Sequence, residues 1–124
     1  MKVKCIRILD SDGHEVESSP WLTHGRVYHV MSTHVSRDGK HSYGIINSHP
    51  KDEWPQMGRH QAECFEVVSR IIPSNWREWA GVGGSGMSPS AWQVSGFYEA
   101  FYDHDPEAYP IFESERDTIL REDP

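Results

Sequence analysis

The residue types that catalysis or metal binding requires cluster at a few places in this chain. Asp103-His104-Asp105 sets an imidazole between two carboxylates, the parts of an acid–base or metal-assisted hydrolase. His60-x-x-x-Cys64 offers one nitrogen and one sulfur donor, but zinc needs three or four converging ligands and this pair supplies two. None of the eight histidines forms a His-x-x-x-His pair, Cys64 has no Cys-x-x-Cys partner, and His34 and Asp38 flank a turn tip. Gly81-x-Gly83-x-x-Gly86 satisfies the dinucleotide spacing literally. The context argues against that use: Trp76-Arg77-Glu78-Trp79-Ala80 makes a poor buried strand, no second βαβ half follows, and no Gly-Lys-Ser/Thr is present to hold phosphate. Residues 77–87 read instead as a flexible glycine-rich loop. The expectation is no catalytic centre, no metal and no cofactor.

Charge is distributed more informatively than its total of −7 suggests. Up to Gly96 the acids and bases balance. From Phe97 onward nine acids, Glu99, Asp103, Asp105, Glu107, Glu113, Glu115, Asp117, Glu122 and Asp123, face only Arg116 and Arg121, so this segment carries the whole excess. A one-signed field of this kind steers an oppositely charged partner. It disfavours direct nucleic-acid binding, which calls for a basic face. Tyr98, Tyr102 and Tyr109 interleave with the acids, and tyrosine and tryptophan are the residues that anchor protein interfaces. Of the five tryptophans, Trp54 stands in a polar, proline-flanked loop and is expected to be the exposed one.

The elements that must position these groups follow from periodicity and turn signals. At 124 residues the chain is long enough for one domain with a core of its own. No apolar run reaches membrane-spanning length and the start carries no signal-like apolar stretch, which predicts a cytoplasmic protein with reduced Cys5 and Cys64. Residues 3–9 are β-rich, with a break in hydrophobic phase after Cys5 that suggests a bulge or a strand covered on both sides. Asp10-Ser11-Asp12-Gly13 then turns the chain to pair Leu9 with Val16. A two-residue turn at Asp38-Gly39 predicts a hairpin of residues 26–35 and 41–47, with Met31 opposite Ile46, Ser32 opposite Ile45 and His34 opposite Tyr43. Residues 49–58 read as loop, 62–68 as an alternating strand and 71–73 as a short edge piece. Ser88-Pro89 opens a short helix through Trp92. Phe97, Ala100 and Phe101 mark another, and a third follows the Asp105-Pro106-Glu107 cap, restarts at Pro110 and carries an apolar stripe of Ile111, Phe112, Ile119 and Leu120. The fold class is α+β: a strongly bent antiparallel sheet of about five strands over residues 1–76, then two or three short helices within the acidic part, residues 88–124.

Trp21-Leu22-Thr23-His24-Gly25-Arg26-Val27-Tyr28-His29-Val30, the hairpin centred on Asp38-Gly39, and Cys64-Phe65-Glu66-Val67-Val68 resemble a bacterial pattern in which a Leu-Thr-x-Gly-x-x-Tyr-x-Val strand opens a small SH3-like barrel that closes on a Phe-x-x-Val strand. Trp92 to Glu99, with its acidic continuation, is similar to the C-terminal part of small acidic immunity proteins of polymorphic-toxin systems. The resemblance implies an SH3-like partial barrel and a cytoplasmic antidote that binds one cognate toxin domain and covers its active site. Such domains are commonly basic and include nucleases; no catalytic residues carry over. The expected contact surface is Glu99, Asp103, Asp105, Glu107 and Glu113, with Tyr98, Tyr102 and Trp54 as anchors. Two other readings stand beside it: a small metal-dependent hydrolase using Asp103, His104 and Asp105 or His60 and Cys64, and an SH3-like peptide-binding module whose groove would be lined by Trp54, Tyr28 and Tyr43.

Overall fold

The computed structural model describes residues 1–124. Nine strands, β1 (Lys2–Cys5), β2 (Ile8–Leu9), β3 (Glu15–Val16), β4 (Val27–Ser36), β5 (His41–Ser48), β6 (Gln56–Gln61), β7 (Phe65–Ser69), β8 (Trp76–Gly81) and β9 (Gly84–Pro89), precede two helices, α1 (Phe97–Tyr102) and α2 (Ala108–Glu122). Short 3-10 turns occupy Ala62–Cys64 and Ser90–Gln93. The protein is α+β, with one seven-stranded antiparallel sheet, a separate β2–β3 ribbon and the helices at its C-terminal end.

Strand β4 organises the sheet. One of its edges pairs with β5; the other is shared, taking β1 at Val27–His29 and β9 at Thr33–Ser36. A register shift sits between Val30 and Ser32, where the chain passes from one set of partners to the other, and a bulge there bends the strand. The expected phase break after Cys5 takes a similar form, since the N–H groups of Ile6 and Arg7 both donate to the Cys64 carbonyl at 2.9 and 3.3 Å.

Both predicted hairpins form one residue out of the expected register, for one shared reason. Gly13 (φ +83°) and Gly39 (φ +85°) each stand third in a three-residue loop, held by Gly13 N to Asp10 O and Asp10 N to His14 O in the first and by Gly39 N to Ser36 O and Ser36 N to Lys40 O in the second. A left-handed glycine in that place is the bulge that follows a type I turn, and it adds one residue to the two-residue turn expected from Asp-Gly. Val16 therefore pairs with Ile8, Ser32 with Gly44, Thr33 with Tyr43 and His34 with Ser42.

Other expectations are corrected. Residues 77–87 are not a loop but most of the β8–β9 hairpin, turned at Val82-Gly83. A Cβ at Gly84 or Gly86 would run into the carbonyl oxygens of Val35 and Thr33, so glycine is what lets β9 lie against β4. Strand β6 occupies part of the segment read as loop, Ala62–Cys64 is a 3-10 turn before the strand at Phe65, and residues 71–73 carry no strand. The Ser88-Pro89 signal lies at the end of β9 and leads into a 3-10 turn, not a helix.

The helices lock to each other and to the 3-10 turn after β9 through aromatic rings. Trp92, 1% exposed, is stacked between Phe97 (5.8 Å, 3°) and Phe112 (5.6 Å, 8°), and Phe101 meets Phe112 at 4.8 Å. Helix α2 runs unbroken through Pro110, which lies in its first turn where no N–H is needed. Ala108, Phe112 and Ile119 are its buried face, while Ile111 and Leu120 remain exposed. Asp123 anchors its far end: the carboxylate meets the Met1 ammonium at 2.9 Å and accepts the Ser69 hydroxyl at 2.6 Å. Cys5 and Cys64 are both buried free thiols. No helix is long and apolar enough to cross a membrane.

Candidate binding surface

Helix α1 buries Phe97 and Phe101 and packs Ala100 against the core, which leaves Tyr98 and Tyr102 partly exposed on the flank facing β6 and Glu99 in solvent. Tyr98 and Tyr102, one turn apart, lie ring against ring (6.5 Å, 20°), and Glu99 and Asp103 form the adjoining exposed row. The Tyr102 hydroxyl donates to the Met57 carbonyl at 3.0 Å, tying the helix to β6. Burial raises both phenols, Tyr98 with a further push from Tyr102, so both hydroxyls stay protonated at neutral pH.

Asp103-His104-Asp105 is a helix stop and a helix start. His104 adopts a left-handed backbone (φ +59°), its N–H reaches Phe101 O at 3.1 Å and the Asp105 N–H reaches Ala100 O at 2.9 Å, the paired bonds of a Schellman close. Asp105 Oδ1 then accepts the Glu107 N–H at 2.9 Å, and the His104 ring stacks on Trp54 (4.8 Å, 11°). The His104 ring and the Asp105 carboxylate have separate tasks, the Asp103 carboxylate is exposed, and the three do not form a donor cluster. His60 and Cys64 do not gather a third donor either: Asn47 Nδ2 donates to His60 Nε2 at 2.7 Å, burial lowers the His60 pKa, and burial raises that of Cys64. The three-donor cluster that does form is Asp10, Asp12 and His14 at the first turn, where Asp10 Oδ1 is already taken by the N–H groups of Asp12 and His14.

The expected contact residues thus divide. Glu99, Asp103 and Glu107 are exposed and outside ion-pair range of any base. Asp105 is half-buried and occupied in capping, and Glu113 is paired with Arg116 at 3.7 Å. Trp54 is not an exposed anchor. It is wedged among Phe101 (5.6 Å), His104 and Tyr109 (5.5 Å), where it holds the loop before β6 against the helical elbow. The exposed tryptophan is Trp21, at 53%. Nor do Tyr28 and Tyr43 line a peptide groove: Tyr28 is 5% exposed with its hydroxyl accepting the Thr23 N–H, and both rings pack on Phe65.

Arg59 and Trp79, which sequence reasoning missed, lie behind α1 together with His34, Tyr98 and Tyr102. A cleft of about 630 Å³ separates it from the sheet, with the His34 ring stacked on Trp79 (5.3 Å, 29°) on one side, Tyr98 and Tyr102 on the other, and Arg59 among them. Burial, and secondarily the Arg59 charge, lowers the His34 pKa, leaving that ring neutral at pH 7. No family model matches this chain, and neither a curated protein nor a solved structure matches it.

Proposed function

We propose that this is a cytoplasmic binding module that neutralises a basic protein partner, in the manner of an immunity protein covering a cognate toxin domain, with the α1–α2 elbow as its contact surface. The observation that carries this reading is the row of free carboxylates, Glu99, Asp103 and Glu107, beside an exposed and mutually stacked tyrosine pair. Unpaired surface acids lose nothing internal when a partner's lysines or arginines meet them, and they speed encounter through long-range attraction. Tyr98 and Tyr102 supply amphipathic contact area with few torsions to freeze. A nuclease domain, with a basic active site, is the partner chemistry that best complements such a face.

The test is affinity capture from the native bacterium with tagged protein, washed at about 0.1 M and about 0.5 M salt, followed by assay of the captured protein with and without the bait. A basic partner in near-stoichiometric amount, released by the higher salt and inhibited when bound, supports the reading. A partner that is acidic, or whose activity is unchanged by binding, opposes it.

A further inference from the structure

We infer that the cleft between α1 and the β4–β5–β6 face is a binding site for a small planar molecule bearing one anionic oxygen group, a carboxylate or a phosphate, and that Arg59 receives the anion. The site needs no partner, since it is completed by this chain alone, although Tyr98, Tyr102 and Glu99 also border the proposed contact surface.

The cleft, at about 630 Å³, is of the size that encloses a small ligand. Its two walls are aromatic, the stacked His34–Trp79 pair on the sheet and the stacked Tyr98–Tyr102 pair on α1, and flat walls of this kind favour a flat guest. Its floor is lowered at Gly44, where a Cβ would collide with Ser32 Oγ on the neighbouring strand. Arg59 lies on β6 opposite Gly44 and lines the cleft with His34 of one wall and Tyr98 and Tyr102 of the other. Its guanidinium is in no ion pair and no hydrogen bond within the protein, although the fork geometry of arginine is made for a bidentate oxyanion. Glu99 stands on the rim beyond ion-pair range of Arg59. Its charge disfavours an anionic group held anywhere in the cleft but on Arg59.

Two ligand pairs separate the chemistry, each differing only in the anion: indole-3-acetate against indole-3-acetamide, and adenosine 5′-monophosphate against adenosine. Binding is followed on the isolated chain by tryptophan fluorescence and by amide shifts. The expected result is saturable binding of the anionic member of one pair, at least about tenfold tighter than its neutral counterpart, with shifts at Trp79, Tyr98 and Tyr102. The pair that responds assigns carboxylate or phosphate. Arg59→Gln should abolish the preference for the anion, and Arg59→Lys should retain part of it. Both leave the melting temperature unchanged, because this exposed side chain holds nothing in the fold. No saturable binding by either pair, equal binding of neutral and anionic members, or an anion preference that survives Arg59→Gln would overturn the assignment.

Discussion

The acidic segment has two ends that use the same residue types for opposite purposes. At the far end of α2, Asp123 is buried against the Met1 ammonium, Ser69 and Lys2, while its own carbonyl oxygen accepts from His29 Nε2 at 2.6 Å. Glu122 beside it accepts both the N–H and the hydroxyl of Ser74, and Glu115 accepts Asn75 Nδ2 at 2.8 Å. At the elbow, Glu99, Asp103 and Glu107 meet no base within the protein. Net charge counted along a sequence merges the two. Carboxylates with donors inside the protein hold α2 across the sheet edge; carboxylates left in water are available to a partner.

Substitution should break the comparison most visibly at Asp123. Asp123→Asn removes a buried charge facing an ammonium and is expected to cost about 3 kcal/mol, a fall in Tm of roughly 10 °C by calorimetry. A loss no larger than that of an elbow substitution would erase the distinction between the two ends.

Acid titration should separate two limbs. Burial alone would raise the Asp123 carboxyl, but the Ser69 hydrogen bond, the Met1 ammonium and Lys2 together hold it below the usual range, and the Ser74 bonds lower Glu122. Depressed carboxylates give their full stabilisation above the unfolded pKa of about 4 and lose it as pH falls through the folded value. His60 is lowered by burial, so the unfolded chain takes up that proton first and stability declines from about pH 6.5 downward. In urea melts between pH 7 and pH 2, Asp123→Asn should flatten only the lower limb and His60→Gln only the upper.

Smaller effects sharpen the contrast. Asn75→Ala breaks the half-buried bond to Glu115 and should cost about 1 kcal/mol in chemical denaturation. Reversing Glu99, Asp103 and Glu107 together to lysine should leave stability within about 0.5 kcal/mol of the parent protein.

Much of the architecture was legible because it depends on local patterns. The Phe97–Ala100–Phe101 spacing marked α1, the Asp105-Pro106-Glu107 cap marked the start of α2, and the β-rich first half formed an antiparallel sheet. Register was not legible, because Asp-Gly serves a two-residue turn and a three-residue bulged turn equally well, and each slip carries a whole strand with it. Strands β6 and β9 escaped notice because Gln, Arg, His, Gly and Ser give no alternating apolar signal; both are held by partners on β4 and β5. The same gap hid the cleft. Arg59 joins His34 and Tyr98 in one cleft only once β6 is placed beside β5, and Trp54 reads as exposed only until His104 is seen to lie on it. His34 and Tyr98 were visible as residues, but nothing in their spacing joined them.

The most direct test of the central claim is the association rate of the captured partner with the parent protein and with the Glu99→Lys, Asp103→Lys, Glu107→Lys variant, measured by stopped flow across a salt series. A free acidic elbow predicts association about 10- to 100-fold slower at low salt, a flattened salt dependence and an unchanged Tm. A partner that associates with the variant at the parental rate, with the parental salt slope, would contradict it.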